Sequence, residues 1–180
     1  MVDRALPANF WRGRGALFWT FTVILFAVLG IVQTRGLFSG EIIWDERFSE
    51  YIPWRIEAAR QLKNGYFPFF TETLFGGMPL FSTSYAGVLY PPNWLYMYFG
   101  AGLANWLAVF HTVLGGVGMT LYLRSHRLLA APALIGAMLF VCGGFMLIHA
   151  SHVSMREAAL FAPWVVWSAR RLLRKPGAGH

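Results

Sequence analysis

The sequence predicts an all-α membrane protein that crosses the bilayer several times, on the basis of its composition and three long uncharged stretches. Hydrophobic residues make up 57% of the 180 residues and charged residues only 13%, whereas soluble domains carry ~25% charged residues. The mean hydropathy of +0.49 agrees with this contrast. Residues 15–34, 101–123 and 129–148 contain no charged side chain. Each stretch is long enough to cross a ~30 Å hydrocarbon core as a helix.

A fourth transmembrane helix is predicted over 152–172, although its uncharged centre, 158–169, is short. This segment spans the bilayer if the charged residues on either side lie at the two interfaces, with the arginine side chains reaching outward. Those residues are Arg156-Glu157 and Arg170-Arg171.

The distribution of charge predicts that both termini lie in the cytoplasm. With four spans, nine of the fifteen basic residues fall on the inner side, opposed there by Asp3 alone. This asymmetry follows the positive-inside rule. It explains the net charge of +7 without a nucleic-acid partner. Residues 1–14 and 173–180 are then a cytoplasmic lead and a cytoplasmic tail.

Residues 35–100 are predicted to form a structured loop on the outer side, because a connection of this length is seldom unstructured in a compact protein. Apolar residues recur every three or four positions over 47–64, which predicts an amphipathic helix on the membrane surface. A second short helix is predicted over 92–99. Aromatic residues crowd the rest of the loop, as is typical of segments at the headgroup level of membrane lipids.

Asp45 and Glu46 are the first candidates for catalysis. They lie shortly after the first apolar stretch, and a carboxylate pair held beside a membrane helix is a functional candidate because it loses hydration. The pair could act as a general base or bind a metal ion. The alternative is a solvated opening of the loop. Because Ile42, Ile43 and Trp44 bracket Asp45, we expect its side chain to be paired and to face a cavity under the loop.

Two histidines extend this site into a candidate metal centre. His149 and His152 are three residues apart, so they share a face wherever the chain is helical. In the predicted topology they lie on the same side of the membrane as Asp45. Asp45, His149 and His152 are therefore the predicted ligands of a divalent cation. The alternative is that the histidines cap helix ends at the interface.

A substrate-binding set is predicted on the loop. Arg55 and Arg60 could attract an anionic lipid headgroup, and the alternative is that they belong to a solvated helix face. Tyr90, in the motif Tyr-Pro-Pro-Asn, completes the set.

The second span contains one ionisable residue and several glycines. His111 must find a polar partner inside the helix bundle, and we expect a hydrogen bond between helices without chemistry. Gly115, Gly116 and Gly118 predict close approach of neighbouring helices, and Gly143 and Gly144 predict the same in the third span.

The order of these parts resembles the N-terminal part of YfhO-like bacterial membrane proteins, which belong to the wider GT-C group of glycosyltransferases. The resemblance covers about residues 15–170. Its most specific pieces are the acidic residue of "WDER", the turns "NGYFP" and "GGMPL", and the motif "YPPN".

The resemblance implies a transferase that uses a polyprenyl-phosphate sugar at the outer face of the bacterial inner membrane. Asp45 corresponds to the loop acid that acts at the acceptor or metal, and Glu46 is a second carboxylate. His149 and His152 correspond to an outer-facing histidine near the site. Because such proteins have more spans, this chain is expected to work with a C-terminal portion or a partner subunit. The alternative function is a non-catalytic membrane scaffold, assembly or lipid-handling component.

Overall fold

The computed structural model describes residues 14–38 and 45–174 and shows an all-α protein, as the sequence predicts. A π-helical turn at Arg47–Tyr51 precedes the helix that begins at Ile52, and a 3-10 turn at Gly100–Gly102 precedes the helix that begins at Leu103. Within the described ranges, β-structure is limited to an isolated bridge between Thr71 and Met78. The α-helices are α1 (Arg14–Gln33), α2 (Arg35–Phe38), α3 (Ile52–Lys63), α4 (Pro91–Trp94), α5 (Tyr96–Phe99), α6 (Leu103–Ser125), α7 (Ala130–Val141), α8 (Gly144–Ile148) and α9 (Val153–Arg174).

Three helical stretches of the described chain are long and apolar enough to cross a membrane, namely Gly15–Gln33, Pro91–Ser125 and Ala130–Ile148. The chain is therefore a polytopic membrane protein. Large apolar side chains such as Leu17 and Leu139 are exposed on these helices, which suits a hydrocarbon environment. The predicted fourth span corresponds to α9, whose 22 residues would extend ~33 Å. Because α9 carries more charge than the other three, its crossing of the bilayer stays a prediction.

The sixth helix, α6, lies at the centre of the helix bundle and packs against α1, α7 and α9. Glycines make this close packing feasible. A Cβ atom on Gly116 would overlap the ring of Phe26 in α1, and one on Gly115 would overlap Leu160 in α9. The predicted role in helix approach is therefore confirmed for these two glycines, whereas it is wrong for Gly144, where a Cβ atom would meet nothing within 4 Å.

The third span is interrupted, whereas the sequence predicts a continuous helix over 129–148. The break falls between Val141 and Gly144, at two consecutive glycines, which favour helix poorly. Carbonyl groups at a helix end lack intrahelical partners, and the side-chain amide of Gln33 donates to the Val141 carbonyl over 3.1 Å. This bond from α1 lowers the cost of the break. Cys142 lies in the break and is exposed.

The long loop between α2 and α6 is organised around α3, and helices are present at both places where the loop was predicted to be helical. One apolar cluster joins α3 to the turns that follow it, and consists of Trp54, Ala58, Leu80, Ala86 and Val88. A second cluster joins α3 to the beginning of α6, and consists of Ala59, Tyr96, Leu103 and Leu107. Because both clusters include α3, this helix attaches the loop to the membrane helices.

The charged residues of α3 are divided between buried and exposed positions, so the alternative of a solvated helix face is wrong for Arg55 and right for Arg60. Arg55 is 3% exposed and Glu57 is 7% exposed, because the loop covers one side of the helix and α5 and α6 cover another. Arg60 and Lys63, near its end, are exposed. Charged groups are rarely buried without partners, and both buried residues are paired.

The Glu57 carboxylate accepts hydrogen bonds from the side chains of Arg60, Gln61 and Thr71. Thr71 also forms the bridge to Met78, so Glu57 attaches that turn to α3. The hydrogen bonds from Arg60, aided by those from Gln61 and Thr71, outweigh the effect of burial. They lower the pKa of Glu57 from its ordinary value of 4.5 to about 2.

We expect protonation of Glu57 to loosen the loop from α3. Its pKa is lower in the folded protein than in the unfolded chain, so its ionisation stabilises the fold above pH 4.5. This stabilisation is lost as the pH falls toward about 2. The Glu57→Gln variant should lack this dependence when thermal unfolding is followed by tryptophan fluorescence. Glu72→Gln, at an exposed carboxylate, is the control. An unaltered pH profile in Glu57→Gln would contradict this role.

Candidate functional site

A narrow cleft lies where the long loop meets the N-terminal parts of α6 and α9, and we call it the loop–span cleft. It encloses about 440 Å³ of empty space, including its open mouth. Three guanidinium groups and one carboxylate line it, so it carries a net positive charge. The polar lining consists of Arg47, Tyr51, Arg55, Tyr96, His111, Arg156 and Glu157, and the apolar lining includes Ile52, Ala104, Ala108, Val153 and Leu160.

Arg55 and Glu157 form a bidentate ion pair that joins α3 to α9. Nη1 and Nη2 of Arg55 donate to the two carboxylate oxygens of Glu157 over 3.1 and 2.9 Å. Nε of Arg55 donates to the Tyr85 carbonyl. Burial lowers the pKa of Arg55, but the hydrogen bonds and charge of Glu157 outweigh it and raise the pKa overall. Both charged groups are therefore engaged with each other.

Arg47 precedes α3 and lines the cleft beside the turn between α8 and α9. Its Nη2 donates to the carbonyl of Ala150 in that turn, and the same atom lies 3.8 Å from Oδ2 of Asp45. Burial, partly opposed by the charge of Asp45, lowers the pKa of Arg47. A guanidinium nevertheless stays protonated at neutral pH. Arg47 therefore keeps its positive charge.

Arg156 lies in the first turn of α9 and is 7% exposed. Its Nη2 donates to Oε1 of Gln33 in α1 over 2.7 Å and to Oγ1 of Thr112 in α6 over 3.0 Å. Three helices therefore meet at this guanidinium. Both partners are neutral, and within the described residues Nε of Arg156 has no hydrogen-bond partner.

His111 is 1% exposed and connects α6 to the loop. Its Nε2 lies 2.6 Å from the hydroxyl of Tyr90, and its Nδ1 lies 2.6 Å from the Leu107 carbonyl. Because a carbonyl only accepts, Nδ1 carries a proton, and Nε2 of the neutral ring accepts from Tyr90. The hydrogen-bond partner of Nε2 is thus a loop residue, and Nδ1 also lies 3.7 Å from Oε1 of Glu157 in α9, so the expected contact with another helix is present as well. Burial, reinforced by the charge of Glu157, raises the pKa of Tyr90 to about 12.

The predicted catalytic pair lies beside the cleft and does not line it. Oδ1 of Asp45 accepts a hydrogen bond from the backbone N–H of Arg47 over 3.0 Å, and its side chain is 23% exposed. Asp45 is therefore paired with Arg47, whereas residues 42–44, which were expected to bracket it, lie outside the described residues. Glu46 is 46% exposed and lies 3.4 Å from Nε2 of His152.

The rings of His149 and His152 lie together, with centroids 5.3 Å apart, but Asp45 does not complete a metal-binding group with them. The ring of His149 stacks on Phe145 with a centroid distance of 4.2 Å, and its Nδ1 lies 2.9 Å from the Phe145 carbonyl. Across residues 14–38 and 45–174, no group of three His, Cys, Asp or Glu side chains is placed to hold a metal ion. This donor set does not fit a cation ligated by Asp45, His149 and His152, and the divalent cation stays a prediction from the sequence.

The predicted substrate-binding residues lie in different places. Arg55 lines the cleft, and Tyr90 contacts the cleft residue His111. Arg60 does not line the cleft: its side chain is 54% exposed and bonded to Glu57, whose hydrogen bond raises the pKa of Arg60. Arg60 therefore supports the loop.

Sequence reasoning missed Arg47, Arg156 and Glu157 as site residues. From the sequence, Arg156 and Glu157 are explained as the flank of a short span, and Arg47 is considered only as a partner of Asp45, which the structure confirms. One signal could have found two of them. An ionisable pair at the edge of a transmembrane segment marks a functional site by default, and Arg156-Glu157 precede the apolar centre of the predicted fourth span.

Comparison with protein families, with curated protein sequences and with solved structures gives no match to this chain. The class of protein is therefore defined by the fold and the site alone. The chain is an all-α polytopic membrane protein with a positively charged cleft between a folded loop and its membrane helices.

Proposed function

We propose that this chain is the N-terminal membrane portion of a glycosyltransferase of the GT-C type, and that its loop–span cleft binds the phosphate of a polyprenyl-phosphate sugar. The observation that carries this proposal is the charge of the cleft, where three arginines and one carboxylate lie beside apolar walls. Arginine is suited to phosphate because its planar guanidinium donates paired hydrogen bonds. The exposed apolar faces of the membrane helices suit the polyprenyl chain. The resemblance to YfhO-like proteins supports the same function.

In the proposed reaction, the Asp45 carboxylate takes the proton of an acceptor hydroxyl, and the hydroxyl oxygen attacks the anomeric carbon of the lipid-linked sugar. The bond from that carbon to the phosphate oxygen breaks, and polyprenyl phosphate leaves with the electron pair. The arginines stabilise the negative charge that develops on this phosphate. Asp45 is chosen as the base for its position, because it contacts Arg47, which lines the cleft.

Lipid binding tests the proposed phosphate site. The chain is placed in phosphatidylcholine nanodiscs, and the binding of farnesyl phosphate is compared with that of neutral farnesol by native mass spectrometry. We expect saturable binding of farnesyl phosphate and far weaker binding of farnesol, because only the phosphate meets the arginines. Equal affinity for the two lipids would contradict a phosphate site.

Transfer activity tests the catalytic part. Asp45→Asn should reduce sugar transfer by at least ~10²-fold, the low end for loss of a general acid–base group. Farnesyl phosphate binding should stay within a few-fold of wild type. Activity is measured in membranes of cells that express the wild type or the variant from the complete gene, with Glu72→Gln as the control. If Asp45→Asn turned over at a rate near that of the wild type, Asp45 would not be the general base and would have only a structural role in the loop.

Cysteine labelling tests the proposed topology, in which both termini lie in the cytoplasm of a bacterial cell. Ser82 in the long loop and His126 in the turn between α6 and α7 are both exposed. In a Cys142→Ala background, Ser82→Cys and His126→Cys should be labelled from opposite sides of the inner membrane by an impermeant maleimide. Labelling of both positions from one side would contradict this topology.

A non-catalytic lipid-handling component is the second candidate function, and one contact favours it. Both oxygens of Glu157, the carboxylate in the cleft lining, accept hydrogen bonds from Arg55, so the contact that Glu157 makes is one that holds α3 against α9. Such a cleft could hold a lipid phosphate without transferring its sugar. A comparison of glycans from cells with and without the gene for this protein distinguishes the two candidate functions. A missing glycan modification supports the transferase, and unchanged glycans with altered polyprenyl-phosphate levels support the lipid-handling component.

A further inference from the structure

The three arginines of the loop–span cleft differ in how their hydrogen-bonding capacity is used. Arg55 is bonded to both oxygens of Glu157 and to the Tyr85 carbonyl. Arg47 is bonded to a backbone carbonyl and lies near Asp45. Arg156 is bonded only to neutral side chains and retains an unpartnered Nε.

Arg156 is therefore a buried cation without an ion-pair partner among the described residues. In the part of the chain that the structure describes, no ion pair joins Arg156 to a carboxylate. The neighbouring Glu157 is turned toward Arg55. Burial of an unpaired charge costs several kcal/mol, and arginine cannot relieve this cost by losing its proton. An anion in the cleft beside Arg156 would supply the guanidinium with an ion-pair partner.

The position of Arg156 is held by groups from two other helices. Gln33 of α1 and Thr112 of α6, the latter 0% exposed, both accept from Nη2. Gln33 also donates to the Val141 carbonyl where the third span breaks. Because Nη2 is held on both sides, the rest of the guanidinium has a defined orientation against the cleft. This arrangement is suited to binding a ligand at a fixed place.

We propose that Arg156 is the principal phosphate contact of the cleft, through its guanidinium group, and that Gln33 and Thr112 are its positioning residues. The inference rests on the proposed function and refines it. Arg47 supplies a second positive charge, and Arg55 has a structural role, in contrast to its predicted role in substrate binding. The ligand is a phosphate monoester or diester on an apolar chain. The apolar wall beside Arg156, formed by Ala108, Val153 and Leu160, suits a lipid better than a free ion.

The test compares lipid binding by variants of the full chain in phosphatidylcholine nanodiscs. Arg156→Gln should weaken farnesyl phosphate binding by at least ~10-fold, which corresponds to one charge-assisted hydrogen bond. Arg156→Lys should recover part of the affinity, because it keeps the charge and loses the planar fork. Arg171→Gln, at an exposed arginine of the same helix, is the matched control and should bind as wild type does. Farnesol binding should be the same in all variants.

A second measurement separates binding from folding. Farnesyl phosphate should raise the melting temperature of the wild type, since a ligand that binds the folded state stabilises it, and should raise that of Arg156→Gln far less. If Arg156→Gln does not fold, Thr112→Val takes its place. It keeps the side-chain size, removes one acceptor of Arg156, and should weaken farnesyl phosphate binding by about threefold.

The outcomes distinguish this inference from the proposed function. If the wild type binds farnesyl phosphate no better than farnesol, the proposed function fails and the inference fails with it. If the wild type binds it and Arg156→Gln or Thr112→Val binds equally well, only the inference fails. If inorganic phosphate displaces farnesyl phosphate at equal concentration, the site binds free phosphate, and the inference that its ligand is a lipid phosphate is contradicted.

Discussion

Replacement of Glu157 by Gln is expected to lower the free energy of unfolding by ~3–5 kcal/mol, because it leaves Arg55 as a buried cation without its counter-charge. The side chains of Arg55 and Glu157 are 3% and 14% exposed, so water cannot take the place of the carboxylate. Glutamine offers one carbonyl oxygen where glutamate offers two carboxylate oxygens, and one of the two hydrogen bonds is lost. Unfolding in mixed detergent micelles, followed by tryptophan fluorescence, measures the effect.

A double variant and a control make this prediction specific. Arg55→Met combined with Glu157→Leu should recover most of the lost stability, since replacement of a whole buried pair by apolar groups is often neutral. Glu72→Gln, at an exposed carboxylate, should change the free energy of unfolding by less than ~0.5 kcal/mol. A loss of less than ~1 kcal/mol in Glu157→Gln, as for a surface pair, would show that water reaches Arg55.

Replacement of Gly116 by Leu is expected to separate α1 from α6 and to cost ~3 kcal/mol or more, the upper range for overpacking in a core. Phe26 is 0% exposed, and the first atom of the new side chain would overlap the base of its ring. The base of a ring cannot move aside as the end of a flexible side chain can. Because α1 packs mainly against α6, the loss should be concentrated in that helix pair. The same unfolding assay measures it.

Gly144 provides the matched control for Gly116. It also belongs to a helix of the apolar spans, but a Cβ atom on Gly144 would meet nothing within 4 Å. The Gly144→Leu variant should therefore unfold like the wild type. If Gly116→Leu and Gly144→Leu had the same stability, close approach of α1 and α6 at Gly116 would not be what holds the two helices together.

The all-α class and the three apolar spans can be predicted from the sequence because the bilayer imposes a simple requirement. A segment that crosses hydrocarbon must satisfy its backbone hydrogen bonds internally, and its side chains must be apolar along the whole length. The break before Gly144 could not be predicted in this way. Glycine pairs also occur in continuous helices, and the break is tolerated because Gln33, more than a hundred residues away in the sequence, bonds to the Val141 carbonyl.

The candidate site is only partly predictable for a related reason. The residue types were sufficient to mark Arg55 and the loop acids as candidates, because ionisable groups beside a membrane are costly and seldom incidental. The residue types did not show that Arg55 would form an ion pair with Glu157, 102 positions further along the chain, and so lose its hydrogen-bonding capacity for a substrate.

Hydropathy, which is a local property, thus determines which segments are apolar enough to enter the membrane, whereas a glycine pair allows close approach only where the packing brings another helix to it, as at Gly116 and not at Gly144. The folded chain alone decides which buried arginine has a carboxylate partner and which lacks one. Arg55 and Arg156 are the same residue type at similar burial, and they differ only in what the packing of α1, α3, α6 and α9 brings to them. Charge pairing in a buried site depends on distances of a few ångströms between groups far apart in sequence, and these distances exist only after the helices have packed.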